Sequence, residues 1–166
     1  METEMNRNKT LQLASAGMIA ALYVVLTWIA NLLGLASGAI QVRLSEALTI
    51  LPVFTVAAVP GLTVGCVLAN LLTGCAAWDV VFGSLATLIG AVGTRLLKDK
   101  PLLAWIPPVV SNAAIVPIIL IKVYGVPDAW WYLVLTVGAG EIIACGILGL
   151  LLWRSLKNIP QIRNMK

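Results

Sequence analysis

The stretch Arg43–Thr73, RLSEALTILPVFTVAAVPGLTVGCVLANLLT, decides the fold. It is apolar enough for lipid, yet longer than the roughly 17–25 residues that one membrane-spanning helix uses. It is interrupted at Ala58-Val59-Pro60-Gly61, and a Pro-Gly pair is strong turn punctuation. The segment therefore reads as two short helices, about Leu44–Ala58 and Pro60–Gly74, each near or below spanning length.

Working outward, four further apolar segments are long enough to span by themselves: about Thr10–Leu33, Val80–Leu97, Leu102–Val123 and Asp128–Leu156. The bulk composition agrees. Hydrophobic residues make up 60% of the chain and charged residues 11%, with a mean hydropathy of +0.98. A soluble domain keeps about a quarter of its residues charged, so the solvent of this chain is lipid. The expectation is one all-α membrane domain over residues 1–166, with six transmembrane helices. The first apolar run has no signal-peptide cleavage pattern and is expected to remain as a span.

Six spans put both termini on one side, and basic residues say which. Arg7 and Lys9 precede the first span, Arg95, Lys98 and Lys100 cluster in one connection, and Arg154, Lys157, Arg163 and Lys166 follow the last. Lys and Arg mark cytoplasmic loops, so both ends are expected in the cytoplasm of a prokaryotic cell membrane. The outer connections are then Gly34–Arg43, Cys75–Asp79 and Tyr124–Asp128. The net charge of +4 reports this topology rather than nucleic-acid binding.

The chain has no histidine, and Cys66, Cys75 and Cys145 show no CxxC spacing. That removes Cys/His zinc clusters, HExxH proteases and a histidine base for a nucleophile; no metal or bound cofactor is expected. There is no GxxxxGK[ST] phosphate loop and no pair of repeated halves around a midplane site. A binding protein without its own engine is the reading that remains.

Ionisable groups inside a bilayer cost at least ~2.5 kcal/mol each and usually face a cavity or a partner. Glu141 lies about 13 residues into the last span, roughly 20 Å from its outer end at 1.5 Å per residue. Asn112 is also near the midplane. Asn70, Ser84 and Thr87 lie one to two turns below the outer surface, and Gln41, Arg43, Glu46, Trp78, Asp79, Trp130 and Trp131 edge the same region. Together they describe an outward-facing pocket with a few convergent polar groups and aromatic walls. Structural readings stand beside the functional ones. Trp130 and Trp131 suit an interfacial belt, Arg43 and Glu46 a helical ion pair, Asp79 an N-cap, Asn70 and Asn112 interhelical glue, and Lys122 a snorkelling cation. Glu141 has no basic residue at its depth. On the first span, Ala16 with Ala20 and Gly17 with Ala21 are small residues four apart, the spacing that lets another helix approach closely.

The segments Gln41–Pro52 (QVRLSEALTILP), Pro60-Gly61, Gly65–Leu71, Asp79–Thr87 and Pro107–Ala113 closely resemble the QueT family. These are substrate-binding S components of energy-coupling factor (ECF) transporters, associated with queuosine precursors. The resemblance implies a six-helix S-component bundle that captures a 7-deazaguanine base, such as 7-aminomethyl-7-deazaguanine, from outside. It also implies a transmembrane coupling subunit and two cytoplasmic ATPases as partners, the ATP being used by them. Docking would run through the small residues of the first helix. In that reading Glu141 and Glu46 take the ligand's donor edge or amine, Asn112, Asn70, Gln41 and Arg43 orient the base, and tryptophan stacks on it. An S component for another vitamin or nucleobase, a membrane-embedded enzyme and an assembly subunit remain as alternatives.

Overall fold

The chain breaks its second apolar region earlier than Pro60-Gly61 suggests. In the computed structural model, which describes residues 2–35 and 41–159, helix α1 (Glu2–Leu32) is followed by a ten-residue 3₁₀ helix, Leu44–Val53, and by α2 (Ala58–Leu72). The connection is residues 54–57, and Pro60 sits in the first turn of α2, where its missing N–H has no helical partner to lose. Helix α3 (Ala77–Leu96) starts three residues before the predicted Val80. A short 3₁₀ turn, Pro101–Leu103, leads into α4 (Ile106–Lys122). The last helix, α5 (Trp130–Leu156), is continuous and holds a π-helical stretch at Ile142–Leu148. Gly74 and Gly125, at φ 73° and 64°, follow α2 and α4 in the left-handed conformation that glycine adopts without a Cβ clash.

Consecutive α-helices pack side by side, and the 3₁₀ helix runs between them against α1, α2, α3 and the second half of α5. Runs of 3₁₀ helix longer than three or four residues are uncommon, and Pro52 within this one disfavours α geometry at Leu51. With three residues per turn, Arg43, Glu46, Thr49 and Pro52 fall in one row, and the last three are buried. Helices α1 and α2 meet at glycines: a Cβ on Gly61 would lie 2.7 Å from the Ala16 carbonyl oxygen, and one on Gly65 2.8 Å from Tyr23 Cβ. Ala16 and Ala20 thus pack against α2, while Gly17 and Ala21 are exposed. Helices α3 and α4 meet the same way, at Gly90 against Pro108.

Polarity is inverted relative to a soluble bundle. Thr27, Ser45, Glu46, Thr49, Asn70, Asp79, Ser84, Asn112 and Glu141 are buried, while Leu13, Met18, Leu32, Leu72, Leu96 and Leu135 are each more than 60% exposed. Such a surface is stable against acyl chains and aggregates in water. Four helices are long and apolar enough to cross a membrane: Arg7–Leu32, Ala77–Leu96, Pro101–Lys122 and Trp130–Leu156. The two short spans expected at about Leu44–Ala58 and Pro60–Gly74 are the helices Leu44–Val53 and Ala58–Leu72, both below that length. Residues 36–40 of the predicted outer connection, and Arg163 and Lys166, lie outside the described residues.

Candidate functional site

The polar interior has two tiers. The deeper one centres on Glu46, 1% exposed, on the 3₁₀ helix. Tyr23 of α1 donates its hydroxyl to Glu46 Oε1, and Thr49, one 3₁₀ turn on, donates to the Glu46 carbonyl at 2.6 Å. Facing them on α5, the Cys145 thiol donates to Glu141 Oε2 at 3.3 Å. Glu141 is itself only 7% exposed. One ligating atom from each of Glu46, Glu141 and Cys145 lies within 4.8 Å of the other two.

Among the described residues, three buried side-chain atoms of this interior have no hydrogen-bond partner within 3.5 Å: Glu46 Oε2, Ser84 Oγ and Asn112 Nδ2. Leaving such an atom unmet costs about 1–3 kcal/mol, and buried orphans mark places where a ligand or water completes the bonding.

The shallower tier is a cavity of about 380 Å³ lined by Gln41, Arg43, Asn70, Asp79, Thr27 and Tyr124, among others. Thr27 joins the tiers: it lines the cavity and donates to Ser45 Oγ at 2.9 Å, beside Glu46. Asn70 donates to the Asp79 carbonyl at 3.4 Å, and Asp79 Oδ2 accepts from the Tyr124 hydroxyl at 3.1 Å. The turn residue Tyr124 titrates above its ordinary range, first because partial burial disfavours phenolate and further because Asp79 is close; the Ala76 N–H opposes this. A neighbouring cavity of about 490 Å³ is lined by Asp128, Trp131, Tyr132 and Thr136 and shares Gln41, Leu120 and Val126 with the first. Gln41 therefore stands between the two, its backbone laid directly on Gly140 of α5.

Most residues expected from the sequence converge here: Glu46, Glu141 and Asn112 below, Gln41, Arg43, Asn70 and Asp79 above, with buried Ser84 on α3. Several expectations need correction. Asp79 is not the N-cap of α3; Ala76 holds that position and Asp79 sits in the first turn. Glu46 takes its hydrogen bond from Tyr23, and Arg43 lines the cavity, where its charge still acts on Glu46 without a hydrogen-bonded helical pair. Trp78 points away from the polar tiers, stacked on Phe82 at 5.8 Å in an apolar groove between α3 and α4. Trp131 lines the second cavity, whereas Trp130 is 55% exposed and outside both linings.

Sequence reasoning missed Tyr23, Thr27, Thr49, Tyr124 and Cys145. Ala16, Ala20, Tyr23, Thr27 and Ala30 recur at helical spacing, a stripe that marks one face of α1 and that could have drawn attention to Tyr23.

The family model described as QueT transporter matches residues 13–158. The chain belongs to the QueT transporter family. That family is described as transporters, and the apolar helices fit a multi-pass protein of a prokaryotic cell membrane. A curated relative, the queuosine precursor transporter QueT of Lactococcus lactis subsp. cremoris (strain MG1363), is 36% identical over 97 residues. That match takes in 58% of this QueT-family chain and 56% of the relative, so the chain covers about half the relative's length. No solved structure matches.

Proposed function

We propose that this chain is the substrate-capture subunit, or S component, of an ECF-type importer, and that it takes a queuosine precursor, a 7-deazaguanine base, from outside the cell. The observation that carries the reading is the two-tiered polar interior, with three unsatisfied buried atoms beneath a cavity of about 380 Å³. A deazaguanine offers an N–H and an exocyclic amine on one edge, which a carboxylate accepts in bidentate fashion, and a carbonyl that suits an amide donor such as Asn112 Nδ2. The name of the Lactococcus lactis relative supports this substrate class.

In the full assembly the chain crosses the membrane with both ends in the cytoplasm, the two short helices completing a six-helix bundle. The cavity lies at the end of α1, α2 and α4 marked by Asn31, Thr73 and Tyr124, the end that the basic residues assign to the outside. Energy comes from a transmembrane coupling subunit and two ATPases. A groove of about 600 Å³ lined by Lys9, Ala16, Gly17, Ala20, Pro60 and Gly61 opens at the opposite end of α1, a shape suited to the coupling subunit.

The test is the small molecule that co-purifies with the chain from detergent, identified by mass, together with uptake in cells with and without the ATPases. A 7-deazaguanine base and ATPase-dependent uptake are expected. A different nutrient, or retention of no base alongside uptake that ignores the ATPases, overturns the proposal.

A further inference from the structure

Helices α3 and α4 are pressed together near one end. A Cβ on Gly90 would lie 2.7 Å from Pro108 Cα, and one on Gly93 2.5 Å from Pro107 Cβ. Toward the other end a groove of about 710 Å³ opens between them, lined by Trp78, Phe82 and Leu85 of α3 and by Ile115, Ile118 and Lys122 of α4, among others. Ile119, 4% exposed, lines this groove and the polar cavity of about 380 Å³, so it walls the groove off from the proposed substrate site. Trp78 to Leu85 and Ile115 to Lys122 each cover two helical turns, roughly 10 Å at 1.5 Å per residue. One leaflet's share of the hydrocarbon core is about 15 Å, so the groove matches the upper part of one acyl chain. A cleft left empty would forfeit dispersion contacts along its walls, and packing is what drives association in lipid.

Charge at the mouth says which lipid. Of the eleven Lys and Arg, nine fall at the termini and in the connection that the proposed topology gives to the cytoplasm. The exceptions are Arg43, which lines the polar cavity, and Lys122, in the last turn of α4. The carboxylates at this end serve other places: Asp79 accepts from Tyr124 and lines the polar cavity, and Asp128 lines the second cavity. Neither lines the groove, where Lys122 is the one charged residue among those described. Its stem can lie along the apolar wall with the ammonium at headgroup level, level with Trp78 in the first turn of α3, where interfacial aromatic rings sit.

We propose that this groove holds one phospholipid with an anionic headgroup, its acyl chain between α3 and α4 and its phosphodiester on the Lys122 ammonium. Under the proposed topology that lipid belongs to the outer leaflet. A zwitterionic headgroup fits less well, because it brings its own cation beside Lys122 and offsets the attraction. The groove assigned to the coupling subunit, on α1 and α2, shares no lining residue with this one, which leaves the α3–α4 face to lipid.

The experiment measures retention of dioleoylphosphatidylglycerol and dioleoylphosphatidylcholine by the purified full chain in detergent, read by native mass spectrometry. One phosphatidylglycerol per chain is expected, held about fivefold more strongly than phosphatidylcholine, the worth of one Lys near a membrane surface. Lys122→Gln should bring that ratio to within about twofold of unity. Ile118→Trp should fill the groove and release both lipids, with Leu85→Trp as a second plug; both positions are exposed, and a thermal melt of each variant checks that folding is kept. Lys157→Gln, at the opposite end of the molecule, should leave the ratio unchanged. Equal retention of the two lipids by the unaltered chain overturns the inference, and so does a preference that survives Lys122→Gln or both plugs. A second copy of the chain retained in place of lipid overturns it as well. None of these results touches the proposed function, which is tested by the base that co-purifies.

Discussion

A methyl group placed on Gly140 would meet the backbone of Gln41: the Gln41 carbonyl carbon lies 3.0 Å and its nitrogen 3.6 Å from the Cβ position, and the carbonyl oxygen is closer still. Ordinary contact starts near 3.4 Å. Gly140→Ala therefore forces the segment that carries Gln41 off α5, since the helix backbone has less freedom than the chain leading to the 3₁₀ helix. Overpacking of this kind costs about 1–3 kcal/mol. Gln41 borders both cavities, so the displacement reshapes the wall between them. If the whole cost is felt only in the ligand-bound arrangement, affinity falls by about 5- to 150-fold.

The assay is equilibrium binding of the co-purifying ligand to purified protein, with a thermal melt alongside. Gly138→Ala, on the same helix, is the control: its Cβ would meet only Ala113 Cβ, at 3.9 Å. That substitution should leave binding unchanged and raise stability slightly, as alanine is favoured over glycine inside a helix by about 0.5–1 kcal/mol. If Gly140→Ala binds within twofold of the unaltered chain, the Gln41 segment is not part of the binding wall and the reasoning fails.

Tyr23→Phe removes the hydroxyl that serves Glu46 Oε1, leaving that oxygen buried without a donor; a loss of about 1–3 kcal/mol of stability is expected in a chemical or thermal unfolding series, and an unchanged midpoint would contradict the assigned bond. Gly65→Ala sets a methyl 2.8 Å from Tyr23 Cβ and 3.0 Å from the Ala20 carbonyl oxygen, so it should loosen α1 from α2 and lower stability by about 1–3 kcal/mol, read by the same melts. Trp78→Ala should leave ligand affinity within about twofold, because that ring is 61% exposed and stacked on Phe82 away from both polar cavities; a tenfold loss would place it in the site.

The contrast between Trp78 and Asp79 shows where sequence reading succeeds and where it stops. Both are adjacent, both lie at the predicted outer end of their helix, and both were assigned to one pocket. Depth along a helix follows from residue count, and it placed both at that end. Direction around the helix does not follow from depth: neighbours are turned about 100° apart at 3.6 residues per turn. Asp79 consequently points inward to Tyr124 while Trp78 points to the lipid side. Glu46 and Glu141 were legible because a carboxylate within an apolar segment must find a cavity or a partner, which fixes its direction as well as its depth. Tyr23 and Cys145 belong to the same cluster and carry no such constraint, since either residue is at home on any face of a membrane helix. The 3₁₀ helix is the intermediate case. Its row of Arg43, Glu46, Thr49 and Pro52 is a period-three pattern visible in the chain, but at ten residues either helix type can host it, and burial among α1, α2, α3 and α5 selects the arrangement that turns Glu46 and Thr49 toward Cys145. Polarity in a lipid-embedded protein thus reveals the members of a site that are costly to bury, and packing alone reveals those that hold them in place.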